Sequence, residues 1–395
     1  MGNVIKGLWP VGLGCVMGFV RLSVRDWGPV REGAVEIRPL TVFIGPNNTG
    51  KSYLAMLFYA LALSVSRVCR AVRLAVEELD EEVASVVDAF LRGEMDEVVE
   101  RVADVASGLL RRRLERALPS AVRGELERVY SSEVGRLVRA GGCEAFIELA
   151  VKNPRAELSM AVRVAGDGRL EAEDLRLSIN PQVIDGLLRR LRALDVFKRL
   201  ESERDVGRGV SRELVGMVLE FMLSDILFED LFFGGIHYLP ASRAGILHSY
   251  RSIARALVSL APMAPIRGVD VPGIPGPLAD FLGELLLMAP KPRGRRLPGV
   301  EGVVKSFERD ILEGEVALER QAQDIPPALV FKFNGERLPM ARVSSMIAEV
   351  APLSVLLKYG SVSSGDTLII EEPEAHLHPD KQAKLAVLLA RLVKG

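Results

Sequence analysis

Gly45-Pro46-Asn47-Asn48-Thr49-Gly50-Lys51-Ser52 matches G-x-x-x-x-G-K-[ST], the phosphate-binding P-loop. Ahead of it, Thr41-Val42-Phe43-Ile44 is β-branched and aromatic, as a buried strand requires. Behind it, an apolar run opens at Tyr53 and predicts a helix over residues 51–70. Strand, glycine loop and helix is the context this motif needs. Glycines let successive N–H groups turn inward onto phosphate oxygens, and the helix N-terminus adds partial positive charge. Lys51 is expected on the β- and γ-phosphates and Ser52 on Mg²⁺. Gly45, Asn47, Asn48, Thr49, Gly50, Lys51, Ser52 and Tyr53 are the candidate nucleotide ligands. The plain alternative is a Gly/Asn loop ahead of an ordinary core helix.

A chain of 395 residues, 49% of them hydrophobic, has the length for two or three domains and a large core. Its formal net charge of −1 gives no global argument for nucleic acid or an anionic membrane. Cys15, Cys69 and Cys143 follow no metal-ligand spacing, which suits a reducing cytoplasm. Lys6 and the apolar run of residues 8–20 resemble a short secretory leader. That run falls short of the roughly 20 residues a bilayer span takes. It lacks an A-x-A-like cleavage site and runs into segments read as strands. A dispensable leader, or translation from Met17, is the expectation.

Further along, residues 19–24 and 34–37 read as strands around the turn Asp26-Trp27-Gly28-Pro29. From about residue 77 to 219 charge is dense and apolar residues recur at helical spacing, as in Val98, Val102, Val105, Ala106 and Leu109. Arg111-Arg112-Arg113 in this block reads either as a basic patch for DNA or as a solvated helix face beside Glu115. Gly166-Asp167-Gly168 separates two β-rich runs, predicting a hairpin over residues 156–179, with a helix over 183–200 after it. We therefore expect a mainly helical lobe over 71–235, inserted into a discontinuous head made of 17–70 and 236–395.

In the second part of the head, Ile236-His237-Tyr238-Leu239 reads as a strand ending in Pro240-Ala241-Ser242-Arg243. Arg243 is either a ligand contact or part of a plain exit turn. Lys291-Pro292-Arg293-Gly294-Arg295-Arg296 is either a phosphate-touching loop or a solvated linker. A helix over 278–288 and strands over 315–319 and 328–333 follow. Thr367-Leu368-Ile369-Ile370 then reads as a buried strand ending in Glu371-Glu372-Pro373-Glu374. Acids at the end of an apolar strand, with a P-loop upstream, suit a Walker B site. Glu371 would hold the Mg²⁺ shell, and Glu372 would orient and deprotonate a water.

The P-loop together with Glu371-Glu372-Pro373-Glu374-Ala375-His376-Leu377-His378-Pro379 resembles the ABC-type "AAA family" ATPases allied to RecF, SMC and the OLD nucleases. The likeness covers the two ends of the chain and not its middle. It implies an α/β P-loop NTPase fold with an ABC-ATPase-like head, using ATP and Mg²⁺. It also implies a homodimer in which the Ser344-Ser345 pair of one head faces the nucleotide of the other. The family places Gly after that pair, where this chain has Met346, and usually has Asp at the position of Glu371. Leu377-His378-Pro379 would be the dimer-facing D-loop, and residues 238–243 would stand in the Q-loop place without a Gln. The resemblance leaves DNA and a protein encoded nearby open as partners. It also implies one more strand beyond the helix expected over 381–393. That strand would end in a switch histidine and lie between the P-loop and Walker B strands. His237, His248, His376 and His378 stand elsewhere, so the polypeptide is expected to be incomplete. Three functional classes follow: a dimerising ATPase, a nucleotide-gated binding module that barely hydrolyses, and an OLD-type nuclease. The nuclease lacks room for its acidic cluster after Glu372.

Overall fold

The computed structural model describes residues 18–70, 85–86, 89, 92–191, 231–241, 243–260, 274–288, 300–319, 327–359, 362–363 and 365–394. The expectations for residues 1–17, for the basic stretch 291–296 and for the helix beyond 191 lie outside them. The protein is a mixed α/β structure.

Two long strands open the fold, β1 (Phe19–Trp27) and β2 (Val30–Ile37). Alternation along β1 sends Val20, Leu22 and Val24 inward, as the two-residue period of a strand dictates. The turn between them contains Gly28 at φ +51°. A side chain there would strike the ring of Tyr53. Three more strands extend this sheet: β3 (Glu144–Lys152), β4 (Ala156–Ala165) and β5 (Leu170–Ile179). The order is β2-β1-β3-β4-β5 and every pair is antiparallel.

Strand β3 was not anticipated, and it corrects the reading of the middle block as helices with one hairpin. Its register sets Val20 opposite Val151, Leu22 opposite Leu149 and Val24 opposite Ile147. The ladder therefore crosses the boundary drawn between 17–70 and 71–235. The physical reason is plain in the inward positions. Ala145, Ile147, Leu149 and Val151 alternate with charged or half-exposed residues, and such a stripe is covered only inside a larger sheet.

Two helices back the sheet. Helix α1 (Lys51–Arg70) starts at the last residues of the glycine loop, and α2 (Met95–Tyr130) packs along it. By length and composition α1 could cross a membrane, but most of its apolar window is buried against the sheet and α2. Within α2, Arg111 faces solvent and pairs with Glu115 across one turn, a contact of small worth. Helix α3 (Pro181–Leu191) follows β5.

A second body of core forms from the C-terminal half. Strand β6 (Ile236–Leu239) is followed by α4 (Arg243–Leu260), α5 (Gly276–Leu287) and α6 (Val300–Phe307). Then come the antiparallel strands β7 (Glu315–Glu319), β8 (Ala328–Phe333) and β9 (Glu336–Pro339). Helix α7 (Ser345–Tyr359), strand β10 (Thr367–Ile370) and helix α8 (Pro379–Lys394) complete it. Strands β6 and β10 pair in parallel, Thr367 with Ile236 through Ile370 with Leu239.

This two-stranded ribbon is the wall between the two cores. Ile236, Tyr238 and Ile369 pack with α1 and the large sheet. Leu239, Leu368 and Ile370 pack with the C-terminal helices. Strand alternation thus serves two cores at once. Two expectations need correction here. Residues 41–44 have no regular secondary structure and join no sheet among the described residues, with Val42 70% and Ile44 88% exposed. Strand β10, read as buried, has only Thr367 buried. Both facts have one cause: among the described residues 41–44 has no neighbouring strand and β10 has one, on one edge.

Candidate nucleotide site

The glycine loop is shaped by its own backbone and held by the first hairpin. Gly45, Asn48 and Gly50 have φ of +151°, +62° and +94°. A Cβ on Gly50 would meet the side chain of Val30 in β2, so glycine is required there for space as well as for conformation. The Thr49 hydroxyl donates to the Pro46 carbonyl at 2.9 Å. The Lys51 ammonium lies back over the loop, donating to the carbonyls of Gly45 at 2.8 Å and Pro46 at 2.6 Å. The loop and Ser52 are exposed, while Gly50 is buried.

The start of α1 is anchored from behind. Trp27, fully buried at the end of β1, donates its Nε1 hydrogen to the Tyr130 hydroxyl at 3.2 Å. That hydroxyl in turn donates to the Tyr53 carbonyl at 2.6 Å. The Tyr53 and Tyr130 rings lie 5.0 Å apart. One relay therefore runs from sheet to helix to the first turn after the loop. Sequence reading marked Trp27 only as part of a turn. A buried tryptophan needs a partner for its N–H, and a residue about a hundred positions away supplies it.

The acidic pair stands at the carboxyl ends of the two parallel strands, where α/β sheets place their ligands. Glu371 N–H donates to the Leu239 carbonyl at 3.0 Å, which continues the ladder by one bond. One Glu371 carboxylate oxygen accepts the Ala241 N–H at 3.4 Å. Glu372 is exposed and sits at φ +42°, in the left-handed region. The Tyr238 hydroxyl is buried without a well-formed hydrogen bond. Burial first, and then the nearby Glu371 charge, raise its pKa. Tyr238 also packs against Tyr59 of α1, with ring centroids 5.0 Å apart and planes tilted by 60°, so the loop helix rests on the strand beside Glu371.

Arg243, left open by the sequence as a ligand contact or part of a plain exit turn, stands at the start of α4. It is 2% exposed. Its guanidinium donates to the carbonyls of Pro240 at 3.0 Å, Glu349 at 3.0 Å, Glu371 at 2.6 Å and Glu372 at 3.2 Å. It also pairs with the buried Glu349 carboxylate at 2.8 Å. Burial pulls its pKa down, against the pull of Glu349, Glu371, Glu372 and Glu374.

A second polar knot lies at the other end of the ribbon. His237, 8% exposed, bonds Glu284 through Nδ1 at 2.7 Å and Asp366 through Nε2 at 3.2 Å. Asp366 also accepts the Gly235 N–H at 2.6 Å. Gly234 and Gly235 precede β6, and a Cβ on either would strike residues 365–366.

Ser344 and Ser345 stand exposed at the start of α7, where the Ser344 carbonyl accepts the Ala348 N–H at 3.0 Å. Met346 beside them packs partly into the C-terminal core. His378 bonds Asp380 at 2.7 Å across the start of α8. Among the described residues no hydrogen bond or ion pair joins the P-loop to the acidic pair, and no cluster of three or more metal-ligating side chains occurs. The Ser52 hydroxyl and the Glu371 carboxylate are oxygen groups of the kind a hard cation takes. Ser52 stands in the first turn of α1 and Glu371 directly after β10.

No family model matches the chain, and no curated protein matches it. Among solved structures it is similar to the Smc head domain with an extended coiled coil, bound to the C-terminal domain of ScpA, from Pyrococcus furiosus. The identity is 11%, over 95% of this chain and 87% of that one, with a TM-score of 0.36.

Proposed function

We propose that this protein is an ATP-binding and ATP-hydrolysing P-loop ATPase of the ABC type, with Mg²⁺ as its metal. The observation that carries the reading is the glycine loop. Three positive-φ residues bend it, Lys51 folds over it and helix α1 begins within it. Exposed N–H groups at a helix start attract phosphate oxygens. Lys51 would exchange its two carbonyl partners for the β- and γ-phosphates. Ser52 and Glu371 would hold Mg²⁺, and Glu372 would take the proton from the attacking water. Mg²⁺ would neutralise developing phosphate charge when bound.

In the same reading two heads close on two nucleotides, and the exposed Ser344 and Ser345 of one copy meet the nucleotide of the other. The second reading is a nucleotide-gated module with little turnover, favoured by Met346, whose side chain occupies the position after the serines. Both readings predict that Lys51→Ala lowers Mg·ATP affinity at least about 100-fold, the order expected for losing a buried-phosphate charge contact. Isothermal titration would measure it, and unchanged affinity would remove the P-loop assignment. Glu372→Gln should keep affinity and lose turnover, with a nucleotide-dependent dimer accumulating in size-exclusion chromatography. Wild-type protein that binds but does not turn over ATP selects the gated module.

A further inference from the structure

We propose that Arg243 is the positioning residue of the acidic pair: from inside the core it grips the main-chain carbonyls of Glu371 and Glu372 and so fixes where their carboxylates stand. This deepens the ATPase reading and rests on the roles given there to those two glutamates.

The geometry starts from what Glu372 needs. A non-glycine residue at φ +42° is held in an uncommon conformation that persists only where its surroundings over-determine it. Its side chain is exposed and its carboxylate touches no partner among the described residues. What holds it is therefore its backbone. The Glu372 carbonyl accepts from Arg243 at 3.2 Å, and the preceding carbonyl, of Glu371, accepts from the same guanidinium at 2.6 Å. The Ala375 N–H adds a turn bond to the Glu372 carbonyl at 3.0 Å. Two adjacent carbonyls thus share one planar, rigid donor.

The donor is itself fixed. Glu349 of α7 pairs with Arg243 through one carboxylate oxygen and accepts the Ala244 N–H at 3.1 Å with the other. The Glu349 carbonyl accepts Arg243 Nε–H at 3.0 Å. Arg243 also reaches the Pro240 carbonyl at 3.0 Å, beside the Ala241 N–H that touches the Glu371 carboxylate. The clamp consequently spans the ends of both parallel strands and the start of α4, and it is braced by α7. Helix α7 also begins at Ser345, directly after Ser344. Lysine cannot reproduce this arrangement, because a single ammonium offers no planar fork to adjacent carbonyls.

Arg243→Gln alone would strand the buried Glu349 charge and risks unfolding. The test therefore uses Arg243→Lys, and Arg243→Gln combined with Glu349→Gln, which removes both charges together. Hydrogen exchange of amides 371–376 and steady-state ATP turnover are read on each full-length protein. Exchange in that segment should rise at least about tenfold in both variants, while the middle of α1 stays protected. Turnover should fall about 10–100-fold, the range for losing a partner that orients an active group, with KM for ATP within about threefold. Adding Glu372→Gln should lower the rate no further than Glu372→Gln alone. Unchanged exchange at 371–376 overturns the proposal whatever the nucleotide does. Equal full turnover in the lysine variant, or losses that multiply with Glu372→Gln, overturn it as well. Absence of ATP binding in the wild type would instead strike the P-loop assignment, and exchange at 371–376 would still decide for or against the clamp.

Discussion

The five-stranded sheet and the β6–β10 ribbon solve the problem of backbone satisfaction in different ways. The sheet has three interior strands, each bonded on both sides, and its apolar face is covered by α1 and α2. Among the described residues the ribbon has two strands, each bonded to the other alone. It is held by what surrounds its ends: Arg243 and Glu349 at the carboxyl end, His237 with Glu284 and Asp366 at the amino end. Hydrophobic burial organises the first region, while buried charge and hydrogen bonding organise the second. The difference teaches where chemistry can sit. A sheet sealed on one face by helices leaves few polar atoms unclaimed, whereas a ribbon end fastened by charged groups presents carboxylates at a fixed place.

The comparison breaks most directly at Trp27. It is buried among the strands and begins the relay to Tyr53, so Trp27→Ala should cost about 3–5 kcal/mol, as large-to-small core changes do. Urea unfolding followed by circular dichroism would measure it. A midpoint equal to wild type would mean that burial does not organise this region.

A smaller effect tests the ribbon. Burial acts to lower the His237 pKa, but hydrogen bonds and charge from Asp366 and Glu284 outweigh it and raise it to about 9 from 6.5. A raised pKa adds stability that is complete below about pH 6.5 and is lost as pH rises through about 9. The expected loss is of order 1–3 kcal/mol. His237→Gln should flatten that slope. Denaturant titrations at about pH 6 and pH 9.5 would show it, and equal slopes in the two proteins would remove the charge from the ribbon's account.

The smallest effect is expected at Ile44. At 88% exposure it buries almost nothing, so Ile44→Ser should stay within about 0.5 kcal/mol. A loss of several kcal/mol would show that residues 41–44 are covered in solution, and would bring this segment into the same class as the ribbon.

Local signals carried much of the fold. The hairpin over residues 156–179 is legible because alternation and a Gly-Asp-Gly turn are written within some twenty residues. The run 51–70 is a helix because its apolar positions recur without a breaker. Strand β3 escaped because Glu144, Glu148 and Lys152 look like the charged helices before it, and only pairing with β1 distinguishes the two periods. The glycine loop was legible as a motif, and so was the acidic pair at the end of β10.

What the sequence determined alone is therefore local: which residues bend a glycine loop, which run forms a helix after it, and which acids end an apolar strand. Each follows from backbone freedom, side-chain shape and period within a short window. Tertiary structure alone decided which distant groups meet. It set Tyr130 behind Tyr53, put Glu349 against Arg243, closed Asp366 and Glu284 on His237, and left Val42 and Ile44 uncovered. The physical reason is that a buried charge or donor must find a partner wherever the chain can bring one. That partner's position along the sequence is fixed by the packing of whole elements and not by spacing.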